Sequence, residues 1–246
     1  MAPSRNPDCR NRLVAIDGPV ASGKTAVGRA LAKRLGWRLF DTGIMFRAAT
    51  WQAQRKGVHL DEEDSVAELI RASEFHLSPR TDADSVEMDV FVDGDNATPH
   101  LRQPEVESGV PIVAANAGVR VLMVAIQQSE AAQGCMVVVG RDIGTVVLPE
   151  APVKIFLDAS EEVRARRRAA EQNGGADEAT VLKATQRRDR RDRGRAASPL
   201  TVAANAVRLD TSDLSLDQAI DAAETIVREL IPDLALPQAT PAASER

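Results

Sequence analysis

The chain has 246 residues, 43% of them hydrophobic and 27% charged, a mixture that suits a globular protein of one or two domains with a sizeable core. Aromatic residues make up 3%, with no tyrosine, and the formal charge is −5 at pH 7. These values exclude a nucleic-acid platform of stacked aromatic rings and confine any anion site to a local cluster of Arg and Lys.

Residues 1–11 are polar, with Pro3 and Pro7, and read as a flexible leader without an apolar export segment. No apolar run approaches the length of about 18 residues that a membrane span needs, so the expected location is the cytoplasm. The two cysteines, Cys9 and Cys135, and three scattered histidines lack metal-ligand spacing. They imply neither a zinc site nor a disulfide framework. RLVAI (12–16) is a short apolar run ending in Asp-Gly-Pro, the pattern of a buried parallel strand. Ala26, Val27, Ala30, Leu31 and Leu35 then follow helical spacing, and Gly36 stops the helix predicted over 25–35.

WRLF (37–40) reads as a second strand with DTG as its exit loop, and helices follow over 44–56 and 61–72. In 85–94, Val86, Met88, Val90 and Val92 alternate with mostly polar residues, which predicts a half-exposed antiparallel strand. Arg102 to Val106 open a further helical region. MVVVG (136–140), VKIFLD (153–158) and AVRLD (206–210) are again strand-like, with a helix starting at Ser160 and another near 215–230. The Pro-, Ala- and Ser-rich stretch 232–246 reads as a flexible tail.

Strands alternating with helices predict an α/β fold, a parallel sheet flanked by helices. The alternating segment marks 60–118 as an insert on a core made of 12–59 and 119–231.

Gly18-Pro19-Val20-Ala21-Ser22-Gly23-Lys24-Thr25 fits G-x-x-x-x-G-K-[ST] in full. A chance match in a chain this long is on the order of 1%, and the strand-to-helix setting lowers it further. The glycines let main-chain N–H groups approach phosphate oxygens, and the helix opening at Lys24 adds its dipole. Lys24 is expected to reach the β and γ phosphates of ATP, and the Thr25 hydroxyl to ligate Mg²⁺.

A guanine-reading Asn-Lys-x-Asp is absent, which speaks against a switch GTPase. The arginines point to a kinase. VRARRR (163–168) follows the 153–158 strand, and QRRDRRDRGR (186–195) places Arg188, Arg191 and Arg195 on one helix face beside Asp192. Such a helical pair could serve as a lid over a triphosphate, neutralising the transferring phosphoryl group and excluding water. The same residues could instead be a solvated face held by ion pairs, or an RNA-binding stripe; the acidic body and missing aromatics speak against the latter.

The segments AIDGPVASGKTAVGRALAKRLGWRLFDTGIMFRAA, GRDIGTVVLPEAPVKIFLDAS and RDRGRAASPL, in this order and spacing, resemble bacterial cytidylate kinases over residues 12–231. The resemblance implies a P-loop fold with a five-stranded parallel sheet, an inserted monophosphate-binding domain over 60–118 and an arginine-rich lid at about 160–195. It implies phosphoryl transfer from ATP with Mg²⁺ to CMP or dCMP; apart from the resemblance, the chain is expected to be a monomer with no stable nucleic-acid partner and no membrane partner.

By the same resemblance, Thr42, Arg47 and Arg141 would hold the acceptor's phosphate, and Arg120 and Asp142 would read the cytosine edge. Arg188 and Asp192 would grip the ribose and Arg195 the phosphates. Among Arg164, Arg167 and Arg168, one or more would close on ATP. Simpler roles stay open: surface charges for Arg47 and Arg120, a turn for Thr42, a helix cap for Asp142. Another small P-loop kinase with a different acceptor, or a nucleotide-binding module without catalysis, stays open too. Three departures from the family pattern stand out, one of them the polar tails, which have no assignable counterpart. Phe46 occupies a position where many members have tyrosine, and Pro111 one where some place a base-contacting serine.

Overall fold

The computed structural model describes residues 9, 11–81, 85–171, 177–195 and 197–232. Apart from Cys9, Asn11 and Pro232, the tails expected at 1–11 and 232–246 lie outside the described residues. In chain order, β1 (Leu13–Asp17), α1 (Lys24–Leu35), β2 (Arg38–Asp41), α2 (Gly43–Arg55) and α3 (Glu63–Ala72) come first. β3 (Phe75–Pro79), β4 (Met88–Val92), β5 (Asp95–Asn96), α4 (Pro104–Val113) and α5 (Ala117–Ala131) follow. The chain closes with β6 (Met136–Val139), β7 (Val153–Asp158), α6 (Glu161–Glu171), α7 (Glu178–Arg193), β8 (Val207–Asp210) and α8 (Leu216–Leu230).

The five strands expected for the core form one parallel sheet in the order β2-β6-β1-β7-β8. β1 is central, and Val14 pairs with both Val137 and Val153. Both faces of a central parallel strand are covered, which is why the run VAI has no polar member. Val14 and Ile16 pack with Val27 and Leu31 of α1 and with Ala223 and Val227 of α8. Ala15 belongs to the opposite core, with Met45 and Ala48 of α2 and Met123 of α5. Leu31 is fully buried, and cutting such a leucine to alanine costs about 2–5 kcal/mol. α8 starts at a capping box, in which Ser215 accepts from the Gln218 N–H and the Gln218 side chain accepts from the Ser215 N–H.

A second, three-stranded antiparallel sheet has the order β3-β4-β5. The alternation seen in sequence is β4, whose Met88, Val90 and Val92 are buried while Asp89 and Phe91 are less so. Its partner β3 has no such signature: FHLSP mixes residue types, and only Leu77, opposite Val90, is buried.

The expectation that the cysteines imply no disulfide is corrected. Cys9 and Cys135 are bonded, with their Cα atoms 4.8 Å apart and a sequence separation of 126. The cause is topological: each precedes one of two adjacent strands, β1 and β6, and the Met136 N–H donates to the Arg12 carbonyl at 3.1 Å. Gly134 is needed here, because a Cβ on it would meet the Cys9 carbonyl oxygen at 1.9 Å. Among the described residues no single helix is long and apolar enough to cross a membrane.

Candidate active site

The C-terminal ends of β1, β2 and β6 each release a loop with chemistry on it. After β1 comes the phosphate loop, which enters α1 at Lys24. Gly18 is required by close approach: a Cβ there would lie 2.0 Å from the Leu157 carbonyl oxygen on β7. Gly23 and also Ala21 take left-handed backbone angles, with φ of 91° and 56°. Lys24 is 7% exposed, and its Nζ donates to the Pro19 carbonyl at 2.5 Å and to Ser22 Oγ at 3.2 Å. Burial pushes its ammonium well below the ordinary lysine value, with Arg141 adding to the effect while Asp41 and Asp17 oppose it. From the end of β2, Asp41 Oδ2 accepts from the Thr25 hydroxyl at 2.9 Å.

A cavity of about 400 Å³ opens beside this loop. Lys24 and Thr25 line it from α1, Thr42, Phe46 and Arg47 from the start of α2, and Val110 and Ala114 at the end of α4. Arg120 of α5 and Arg141 and Asp142 after β6 continue the wall, and Arg188, Asp192 and Arg195 complete it from α7 and just beyond.

Inside it, the Arg120 guanidinium donates to the Asp142 carboxylate and to the Ala114 carbonyl, the latter at 3.0 Å, and lies 5.3 Å from the Phe46 ring centre. Asp192 is shared between Arg141, whose Nε donates to it at 2.9 Å, and Arg195. Burial alone would raise the Asp192 carboxyl, but Arg141 and Arg195 outweigh it and hold it below its ordinary value. Burial and the neighbouring Arg141 lower Arg188 to about 10. Arg120 Nε and Arg195 Nε are buried without a hydrogen-bond partner in the protein. Such crowding of cations, with donors left over, is the electrostatic signature of a site for an anion.

Several residues named from sequence have visible local duties. Thr42 Oγ1 donates to the Val139 carbonyl at 3.0 Å. Arg47 Nε donates to Glu107 at 2.8 Å. Asp142 caps nothing with its side chain; its carbonyl accepts the Val146 and Val147 N–H groups while its carboxylate takes Arg120. Val20, Ala21 and Gly23 line the cavity, whereas Gly18, Pro19 and Ser22 do not. Pro111 does not line it.

Of the α6 arginines, Arg168 lines the cavity and Arg164 and Arg167 do not. Arg167 donates to the hydroxyl and carbonyl of Thr211 at 3.0 and 2.7 Å. Arg164, 2% exposed, donates to the carbonyls of Ala159 and Val20 and pairs with Asp189. On α7, Arg191 is exposed, and Arg188 and Asp192 are the residues that face the cavity.

Three residues around the cavity escape the sequence reading. Asp41 was visible only as the first letter of DTG. Arg102 lines the cavity and lies 3.5 Å from Glu107, the partner of Arg47. Asp17, 4% exposed at the end of β1, accepts the N–H groups of Ile143 and Gly144, both at 2.7 Å, and so fastens the turn that carries Arg141 and Asp142. Burial raises its carboxyl to about 6, and Asp142 adds to that while the two N–H groups oppose it.

Comparison with known proteins gives the arrangement a family. The cytidylate kinase family model matches residues 14–229. A cytidylate kinase of Desulfitobacterium hafniense is 42% identical over 215 residues, covering 86% of this chain and 90% of that protein. Those of Limosilactobacillus reuteri and Rhodococcus opacus are 39% and 43% identical and cover 92% and 88% of this chain and 100% and 95% of theirs. Among solved structures, a shikimate kinase from Bacteroides thetaiotaomicron aligns over 89% of this chain and 98% of its own at 15% identity and a TM-score of 0.46. With the family model spanning the phosphate loop, the Arg141–Asp142 turn and α7 in one match, the chain belongs to the cytidylate kinase family.

Proposed function

We propose that the chain transfers the γ-phosphoryl group of ATP to CMP or dCMP, giving CDP or dCDP and ADP. One observation carries this reading: the phosphate loop with Lys24 and the buried Arg120–Asp142 pair open on the same cavity. The pair matches cytosine, because Arg donates to the ring carbonyl and nitrogen while a carboxylate accepts from the amino group. Uracil offers a carbonyl where cytosine has that amino group, and it would meet the carboxylate unfavourably.

In this reading the triphosphate lies along residues 18–25. An oxygen of the acceptor phosphate attacks the γ phosphorus, the bond from that phosphorus to the β-phosphate oxygen breaks, and ADP leaves with the electron pair. No general base is needed, since a phosphate monoester is mostly dianionic at neutral pH, its second pKa being about 6. Lys24, Arg141, Arg188 and Arg195 offset the charge spread over the transferring group. Arg47, Arg102 and Thr42 line the same cavity and would hold the acceptor phosphate. The segment 60–118 would form the acceptor side, and α6 and α7 the arginine-bearing side.

A magnesium ion fits beside Thr25. The Thr25 hydroxyl and the Asp41 carboxylate are hard oxygen donors, and among the described residues no group of three or more His, Cys, Asp or Glu could hold a metal alone. Phosphate and water would supply the remaining ligands, as is usual for this ion. When bound, it would neutralise charge on the β and γ phosphates.

The test is ADP release with ATP and Mg²⁺ against CMP, dCMP, UMP, AMP and shikimate. CMP and dCMP should far exceed the rest. Preference for another acceptor would replace this reading by that of another small P-loop kinase, and no acceptor-dependent release would leave a binding module.

A further inference from the structure

The arginine-bearing helices are tied to the phosphate loop by a buried contact whose two side chains do not line the cavity. Asp189 of α7 and Arg164 of α6 are 0% and 2% exposed, and Asp189 Oδ2 lies 2.6 Å from Arg164 Nη1. Oδ2 makes this ion pair and no hydrogen bond. Together the two side chains bracket Val20. Asp189 Oδ1 accepts its N–H at 3.4 Å, and Arg164 Nη1 donates to its carbonyl at 3.2 Å. Arg164 Nε is fixed in turn by the Ala159 carbonyl at the end of β7, at 2.9 Å.

Val20 sits inside the loop that would wrap a triphosphate, between Pro19, which accepts from Lys24, and Ala21, which has a left-handed backbone. A phosphate that drew Lys24 Nζ away from Pro19 and Ser22 would change the hydrogen bonding of the loop on one side of Val20. On α7, Arg188 and Asp192 lie about 100° and 60° around the helix from Asp189, in the same direction. A displacement of Asp189 therefore carries both cavity residues with it. A buried ion pair contributes little net stability, and in some proteins it serves to fix one arrangement of the elements that carry it.

We propose that Arg164 and Asp189 are positioning residues that couple the two nucleotide sites, so that a triphosphate on the phosphate loop sets α7 for the acceptor. This rests on the assigned reaction, but its test is separable from it. Calorimetry would measure CMP affinity with and without a non-hydrolysable ATP analogue and Mg²⁺. In the native protein the analogue should tighten CMP binding by about 5- to 150-fold, the usual range of site coupling. In Asp189→Asn the CMP affinity without analogue should persist, while the tightening falls below about twofold.

Native CMP binding that the analogue leaves unchanged would overturn the coupling and leave the reaction standing. So would a variant that keeps the tightening, or one that loses CMP affinity equally in both conditions. CMP failing to bind the native protein at all would instead sink the assigned reaction. Because Asp189→Asn leaves a buried arginine without its counter-ion, Arg164→Met/Asp189→Leu serves as a second variant, without buried charge. It should lose the tightening in the same way, and retained tightening in that pair would also overturn the coupling.

Discussion

Arg120 and Asp142, 22 positions apart in sequence, meet as a buried ion pair, each less than 7% exposed, on the wall of the cavity that Lys24 also lines. Each partner keeps the other from being a lone buried charge. A pyrimidine that offers a carbonyl and an amino group side by side could use both members, and in the proposed reading the pair would set base choice.

The first prediction follows from that pair. Asp142→Asn should lower kcat/KM for CMP by about 10- to 100-fold, the worth of one well-placed base contact, and narrow the preference for CMP over UMP. Steady-state kinetics on both acceptors checks it. A native enzyme that used UMP as well as CMP would remove Asp142 from the role.

Lys24 is the second target. Lys24→Ala should cut turnover by about 100-fold or more, as loss of a preorganised charge stabiliser does. Removing a buried ammonium leaves only the Pro19 carbonyl and Ser22 hydroxyl short of a donor, so the fold should persist. Turnover and a thermal melt are the measurements, and near-normal activity would count against the phosphate-loop mechanism.

The third concerns pH. The Asp17 carboxyl has an ordinary value of 3.8 and is raised by burial to about 6 in the folded protein. Its contribution to stability is therefore full below about pH 4 and lost as pH rises through 6, a swing of roughly 3 kcal/mol. Site geometry requires the opposite form, because only the carboxylate accepts the Ile143 and Gly144 N–H groups together. As pH falls through 6, KM for CMP should rise more steeply than ionisation of the CMP phosphate alone explains. Asp17→Asn should have a higher KM at pH 7.5 and follow only the substrate's ionisation. Superimposable pH profiles for the two proteins would show that Asp17 does not govern the turn; Asp142 and Lys24, its charged neighbours, would be next to test.

The fourth separates stability from activity. The disulfide joins the starts of β1 and β6, whereas the site grows from their ends. Cys9→Ser should cost about 2–5 kcal/mol of stability, as expected for a cross-link closing a long loop, and leave turnover on CMP unaltered. Denaturant melts of oxidised, reduced and substituted protein, alongside an activity assay, decide it.

The core of the fold was legible because VAI, MVVV and VKIFL announce strands covered on both faces, and because the phosphate loop fixes where β1 ends. β3 was not, since FHLSP owes its place to β4 rather than to its own pattern. In the site, Lys24 and Thr25 followed from spacing and chemistry alone, while roles for Arg120, Asp142, Arg188 and Asp192 came through family resemblance. The run VRARRR could not be sorted by sequence. A helix turns about 100° per residue, so Arg164 is buried, Arg166 exposed and Arg168 at the cavity, and only the packing of α6 says which is which. Asp17, Asp41 and Asp189 were missed because their partners lie 126, 16 and 169 positions away, and an aspartate among arginines reads most simply as a local ion-pair partner.

The most direct measurement is a crystal structure of the chain with CMP and a non-hydrolysable ATP analogue. The cytosine amino group should lie within hydrogen-bond reach of Asp142, with Arg120 on the same edge of the ring and the acceptor phosphate in line with the γ phosphorus beside Lys24. CMP bound elsewhere, with Arg120 and Asp142 paired only to each other and away from the base, would contradict the proposed function.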